Sequence, residues 1–146
     1  MIGRKLCPYR LLTSTQIELV RRSFDSIRRR EFAEMFYRRF FELAPQTRAL
    51  FPSDLERQYL TLMNMITALV GALDKRELFQ SMTTYAGVQH ARFGAKPAHF
   101  SAFREALLWC LEQQFDSTFT PELRAAWVTL YDAVQKKMIS AAERAA

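Results

Sequence analysis

The chain is poor in the residues from which metal, phosphate and covalent catalytic sites are built. Its 146 residues include 2 cysteines, 2 histidines and 4 glycines. Cys7 and Cys110 stand far apart, so no CxxC pair is available for a zinc ribbon or a redox centre. The scattered glycines cannot form a phosphate-binding loop, and neither His90 nor His99 lies in a recognisable catalytic motif. These shortages exclude zinc domains, nucleotide-binding folds and nucleophilic hydrolases.

The chain also lacks a long hydrophobic run. No segment approaches the roughly 20 apolar residues of a transmembrane helix, and residues 1–10 carry charge without the apolar core of a signal peptide. The formal net charge is +6, but clusters such as Arg28–Arg30 lie among glutamates and form no basic stripe with exposed aromatics. We therefore expect a soluble cytoplasmic protein without a nucleic-acid or membrane partner, with binding of an acidic partner or an anionic membrane surface as a minor alternative.

Apolar residues spaced three and four apart dominate what is present. Hydrophobic residues make up 49% of the chain, which contains 12 phenylalanines. Alternation at every second residue, the pattern of a strand, is absent over any useful length. Length and spacing together predict one all-α domain of six long helices and a short connector helix. We assign residues 1–11 to an N-terminal extension, 12–142 to this domain and 143–146 to a C-terminal tail.

Capping residues and prolines mark the expected helix boundaries. Thr13 and Gln16 form a T-x-x-Q capping box before the first helix, and a second helix is expected over about residues 30–44. Pro45 opens the short connector, which ends near Phe51. Further starts are predicted at a Ser53/Glu56 capping box, at Asp74 with Glu77, at Pro97 and at Thr120-Pro121, and a helix end is predicted at Phe93-Gly94.

His90 is the first candidate for chemistry. It continues a stripe of Leu78, Met82 and Ala86, each step four residues, so these side chains project from one helical face. An imidazole on an apolar face is either a hydrogen-bonded core residue or a ligand of an iron-type metal. Haem fits a chain with a single strong protein ligand, because its macrocycle supplies four ligands. Without a CxxCH motif the haem would be held non-covalently.

Three landmarks agree in type and spacing with a known family. Pro45 precedes Phe51 by six residues, Tyr37 precedes it by fourteen, and His90 is followed by a glycine, a proline and a long helix. Pro45 matches the proline of helix C, and Phe51 matches the corner phenylalanine against the haem. Tyr37 matches the helix B residue that faces bound ligand, and His90 matches the proximal histidine. Over about residues 12–138 the chain thus resembles the globin family, especially bacterial single-domain globins and the haem domain of flavohaemoglobins. The resemblance implies a globin fold around haem b, with iron held by His90.

The same resemblance implies a set of distal and wall residues. Tyr37 would donate a hydrogen bond to bound ligand, Gln58 would assist it, and Leu62 would lie one turn after Gln58. A solvated glutamine in the first turn of its helix is the alternative interpretation of Gln58. The implied apolar wall of the haem pocket consists of Phe51, Leu62, Met82, Phe93, Phe103, Leu107 and Val134.

Two positions depart from the flavohaemoglobin pattern. Where that family has a tyrosine ten residues after the proximal histidine, this chain has Phe100, and alanine occupies the position of a glutamate near the C-terminus, in the stretch 141–143. Neither side chain can hydrogen-bond near the proximal histidine, so peroxidase-like chemistry is not expected. His99 is expected to be a surface or haem-edge residue, with a propionate as its candidate contact.

The resemblance implies high-affinity, reversible binding of diatomic gases (O2, NO and CO) by haem b. It makes nitric oxide dioxygenation with a separate reductase a candidate activity. Two alternatives stay open at this point: a gas-sensing input module for a partner protein, and a haem-free globin-like interaction module in which His90 is a core histidine. The sequence does not distinguish a monomer from a homodimer.

Overall fold

The computed structural model describes residues 11–146, and Cys7 lies outside the described part. This part folds into α-helices and two short 3₁₀ helices and contains no strand, as the spacing of apolar residues predicts. The α-helices are α1 (Ser14–Asp25), α2 (Arg29–Leu43), α3 (Glu56–Gly71), α4 (Arg76–Arg92), α5 (Pro97–Phe115) and α6 (Pro121–Ala145). The 3₁₀ helices are Pro45–Leu50, between α2 and α3, and Asp116–Thr118, between α5 and α6.

The predicted caps of α1 and α6 are confirmed. Thr13 and Gln16 exchange backbone-to-side-chain hydrogen bonds of 3.0 and 3.1 Å at the start of α1. Thr120 Oγ1 accepts a hydrogen bond from the backbone N–H of Leu123 at the start of α6. At its other end α6 continues to Ala145, so most of the stretch assigned to a tail is helical. Within residues 11–146 no helix has both the length and the apolarity needed to cross a bilayer.

The predicted caps of α3 and α4 are wrong. Leu55, the residue before α3, makes no side-chain cap, and Asp54 instead of Ser53 accepts a 3.0 Å hydrogen bond from the backbone N–H of Glu56. α4 likewise starts without a side-chain cap. Asp74 is ion-paired with Arg21 of α1 at 3.0 Å, because a guanidinium is a stronger partner for a carboxylate than a backbone N–H.

The hydrophobic core is built where α2 packs on α5 and α1 packs on α6. Its fully buried large side chains include Val20, Phe32, Phe36 and Leu111. Burial of each such side chain contributes about 1.5–3 kcal/mol to the free energy of folding. α3 is attached to α2 and α1, whereas α4 is attached to α6. The helix that carries Gln58 therefore packs against α1 and α2, whereas the helix that carries His90 packs against α6.

Gly87 is the point at which α4 approaches the backbone of α6. A Cβ atom at this position would lie 2.3 Å from the carbonyl oxygen of Met138 and 2.8 Å from its Cα. Both neighbouring atoms belong to the backbone and cannot rotate away. The absence of a side chain at Gly87 therefore sets the distance between α6 and the helix that carries His90.

Gly87→Ala should lower the free energy of unfolding by about 1–3 kcal/mol, because overpacking forces two backbones apart. The matched control is Gly71→Ala at the end of α3, where an added Cβ meets nothing within 4 Å. The control should be neutral or stabilising by up to about 1 kcal/mol, the helix propensity difference between the two residues. Urea denaturation followed by circular dichroism measures both values. Equal effects of the two substitutions would show that the close approach of α4 and α6 carries no cost.

Candidate haem and gas-binding site

Tyr37 is a buried phenol on the core face of α2. Phe32, Phe36 and Phe40 occupy the same face, so the three- and four-residue spacing that places phenylalanines in the core also carries Tyr37 inward. Its side chain is only 3% exposed. Burial, the largest influence, raises the pKa of Tyr37 to about 12, and the hydrogen bond with Gln58 opposes that rise. The phenol is therefore neutral at any physiological pH and keeps its hydrogen.

Gln58 reaches Tyr37 from the first turn of α3. Its Nε2 donates a hydrogen bond of 3.1 Å to the phenol oxygen of Tyr37. The structure thus brings together the two polar residues predicted for the distal side, and Gln58 is not the solvated surface glutamine of the alternative interpretation. Because the phenol oxygen acts as the acceptor in this pair, the hydroxyl hydrogen of Tyr37 is left for another acceptor.

Aromatic rings surround the Tyr37 ring. The centroid of Phe36 lies 5.1 Å from that of Tyr37, Phe51 lies at 5.5 Å and Phe41 at 5.7 Å. The Phe36 and Phe51 rings present edge-to-face arrangements, which the ring quadrupole favours. Phe103 of α5 continues the cluster, with its centroid 4.5 Å from that of Phe36. The cluster holds the Tyr37 ring in one place, so its hydroxyl has a fixed position.

His90 lies in the last turn of α4, and a hydrogen bond fixes its ring. Its Nδ1 lies 2.7 Å from the carbonyl oxygen of Ala86, one turn earlier, and donates to it. In the neutral imidazole this leaves the lone pair on Nε2. The residue is exposed, so it is not the buried core histidine of the alternative interpretation. His90 therefore offers an oriented nitrogen ligand.

The turn after His90 is stabilised by a Schellman motif. The backbone N–H of Ala95 donates to the carbonyl oxygen of His90 at 2.9 Å, and that of Gly94 donates to Ala91 at 3.1 Å. Gly94 has φ of +90°, a conformation that side chains disfavour, so the Phe93-Gly94 pair ends the helix as predicted. The motif uses the carbonyl of His90 itself. It thereby holds the backbone of His90 in place where the helix would otherwise fray.

The other residues predicted for the wall differ in burial. Leu62, Leu107 and Val134 are buried, and Phe51, Met82 and Phe103 are half-buried at the edge of the core. Phe93 does not join them: it is the C-cap residue just beyond α4, and its side chain is 72% exposed. Leu78, at the far end of the predicted stripe, is also exposed.

His99 lies away from these residues in the first turn of α5. Its Nδ1 accepts a 3.1 Å hydrogen bond from the backbone N–H of Lys96, so it acts as a helix cap. The side chain is half-buried. Within residues 11–146 no group of three or more His, Cys, Asp or Glu could hold a metal ion.

No role in the site was predicted from the sequence for Tyr131 of α6. Its ring stacks on Phe103 with centroids 5.7 Å apart, and its hydroxyl donates a 2.7 Å hydrogen bond to the carbonyl oxygen of Phe100. Burial raises the pKa of Tyr131, so this donor also stays neutral. Phe100 lacks the side-chain donor of the flavohaemoglobin pattern, but its backbone is fixed by this bond. A tyrosine on an otherwise apolar stripe was the available signal.

Comparison with known proteins decides the family. Residues 34–138 match the Globin family. The chain belongs to the globin family. Its matches include the neuroglobin of Tetraodon nigroviridis, 29% identical over 87% of this chain and 90% of that protein, and the anaerobic nitrite reductase NSHB5 of Oryza sativa subsp. indica, 28% identical over 89% and 98%.

The fold agrees with this membership. A solved structure, described as a hexacoordinated heme protein from an anhydrobiotic tardigrade, is similar over 90% of this globin and 96% of that chain. The TM-score is 0.81 at 14% sequence identity, which is evidence for the fold alone. The predicted globin fold is therefore confirmed.

Proposed function

We propose that this globin holds haem b non-covalently through His90 and binds diatomic gases, above all O2, reversibly. The observation that carries the proposal is the 2.7 Å hydrogen bond from Nδ1 of His90 to the carbonyl of Ala86, which leaves Nε2 as the ligating atom. Membership of the globin family supports the same cofactor. When bound, haem supplies a ferrous iron that takes up and releases small diatomic molecules.

The side chains around the proposed site suit a flat apolar cofactor. Phe51, Phe103, Leu107 and Val134 would provide an apolar lining that keeps water from the iron, and Leu62 and Met82 would extend it. Phe93, exposed at the end of α4, would contribute only at the haem edge. The lining carries no ionised group, so a polar ligand would interact chiefly with the distal pair.

Tyr37 would supply the hydrogen bond that distinguishes one gas from another. A ligand that gains negative charge on binding is stabilised by a neutral O–H donor held in a low-dielectric surrounding. Gln58 donates to the oxygen of Tyr37 and so directs the phenol hydrogen away from itself. Strong hydrogen bonding slows ligand release. We therefore propose that the protein retains O2 for reaction, with nitric oxide as the candidate co-substrate and a separate reductase, instead of delivering it.

An absorption spectrum of the purified, haem-reconstituted protein tests the proposal. We expect one haem per chain, a shift of the Soret band on adding CO to the reduced form, and a five-coordinate reduced form. A bis-imidazole spectrum is not expected, because residues 56–71 contain no histidine. Failure to bind haem after reconstitution would contradict the proposal and favour a haem-free interaction module.

A further inference from the structure

Arg48, in the 3₁₀ helix Pro45–Leu50, binds three consecutive carbonyl groups of the loop that leads into α3. Its Nη1 donates to the oxygens of Phe51 and Pro52 at 3.3 and 2.9 Å, and its Nη2 donates to that of Ser53 at 3.0 Å. The backbone N–H of Phe51 donates back to the carbonyl of Arg48 at 3.2 Å. A guanidinium presents its donors in a fixed fork, so these contacts define the path of the loop.

The same guanidinium covers the outside of the aromatic cluster. Its central carbon lies 5.2 Å from the ring centroid of Phe41. Phe41 contacts Tyr37 on one side and Phe51 on the other, with centroids 5.7 and 5.4 Å away. Arg48 therefore contacts both the loop and a ring that packs against the distal phenol.

The first turn of α3 is positioned by this loop together with one ion pair from α2. α3 starts without a side-chain N-cap; Asp54 accepts a hydrogen bond from the N–H of Glu56, and Arg30 of α2 binds the Glu56 carboxylate. Gln58 follows two residues later and must hold its amide 3.1 Å from the Tyr37 oxygen. A small movement of the loop would break a hydrogen bond of this length.

We propose that Arg48 is a positioning residue for gas binding: by fixing residues 51–53 and the Phe41 ring, it holds the Tyr37–Gln58 pair in the geometry that donates to ligand. The ligand part of this inference rests on the proposed haem function. The structural part does not, since it concerns the position of the α3 start in the protein with or without haem. Arg48 itself makes no contact with Tyr37 in this arrangement and acts through its neighbours.

The test compares Arg48→Met with Arg22→Met, which removes an exposed arginine of α1 paired with Glu18. Arg48→Met should speed O2 dissociation by roughly three- to tenfold, by loosening one hydrogen bond without deleting it. It should also speed amide exchange at residues 56–59 at least about tenfold, because the start of α3 opens more often. Arg22→Met should change neither quantity.

A double-mutant cycle separates positioning from a general loss of structure. In a Tyr37→Phe background, Arg48→Met should change O2 dissociation less than about twofold, because residues that act through one network are not additive. Arg48→Gln, which keeps one amide donor, should give an intermediate rate and serves as the test variant if Arg48→Met does not fold. The inference is overturned if the O2 dissociation rate is unchanged in Arg48→Met, or in Arg48→Gln where that variant replaces it. It is also overturned if Arg48→Met has its full effect in the Tyr37→Phe background.

The outcomes of this experiment and of the haem test are distinct. If the wild-type chain binds no haem, the proposed function fails, and amide exchange at residues 56–59 still reports whether Arg48 fixes the start of α3. If haem binds with normal stoichiometry in all variants, only the release rates decide whether Arg48 positions the distal pair.

Discussion

Replacing His90 with alanine should remove stable haem binding while leaving the fold intact. The ring of His90 is oriented by the backbone carbonyl of Ala86, and its loss would delete the proposed protein ligand to iron. Outer-shell partners of metal ligands alone are worth about 10–100-fold in affinity, so we expect haem to dissociate at least about 100-fold faster. Transfer of haem to an excess of an apo-globin acceptor, followed at the Soret band, measures this rate.

His99→Ala is the matched control for His90→Ala. It removes the chain's other histidine, which is half-buried and whose bond is to the backbone of Lys96. Haem retention should stay within about twofold of the wild type, as for a surface change outside the site. The haem-free forms of both variants should unfold within about 1 kcal/mol of wild type, since each loses one side-chain hydrogen bond to the backbone. Equal haem retention in the His90 and His99 variants would remove His90 from the site.

The helices could be predicted from the sequence because local rules decide them. Apolar spacing, prolines and threonine caps act within a few residues, and they place α1, α5 and α6 within one or two residues of their observed starts. The caps of α3 and α4 were wrong because arginines of other helices bind the carboxylates that the predicted caps needed; Arg30 of α2 binds that of Glu56. Arg21 binds Asp74 from another helix, and no local pattern contains that information.

The contact between Tyr37 and Gln58 could be predicted because both residues lie on helix faces of known spacing. Tyr37 lies on a phenylalanine stripe and Gln58 in the first turn of a helix, and the structure joins them at 3.1 Å. The contributions of Arg48 and Tyr131 could not be predicted, because each depends on which carbonyl lies nearby in three dimensions. Phe93 illustrates a different limit: it is the C-cap residue of α4, and helical spacing does not predict burial beyond the last helical residue.

Tyr37→Phe should speed O2 dissociation by about ten- to a hundredfold, the equivalent of a charge-assisted hydrogen bond of roughly 1.5–3 kcal/mol. The substitution removes the hydroxyl and keeps the ring, so the contacts with Phe36 and Phe51 should persist. Stopped-flow mixing of the oxygenated protein with CO measures the release rate. CO gains little negative charge on binding, so its own release should change by less than about threefold.

Tyr59→Phe is the matched control, because Tyr59 places a second phenol ring 5.8 Å from that of Tyr37. Tyr59 is half-buried on α3, next to Gln58 in sequence. Its replacement by phenylalanine should leave the O2 release rate within about twofold of wild type. Gln58→Leu should lie between Tyr59→Phe and Tyr37→Phe, because it removes the group that orients the donor and leaves the donor in place. If Tyr37→Phe releases O2 no faster than Tyr59→Phe does, the distal donor is not Tyr37. The hydrogen bond between Tyr37 and Gln58 would then have only a structural role, joining α2 to α3.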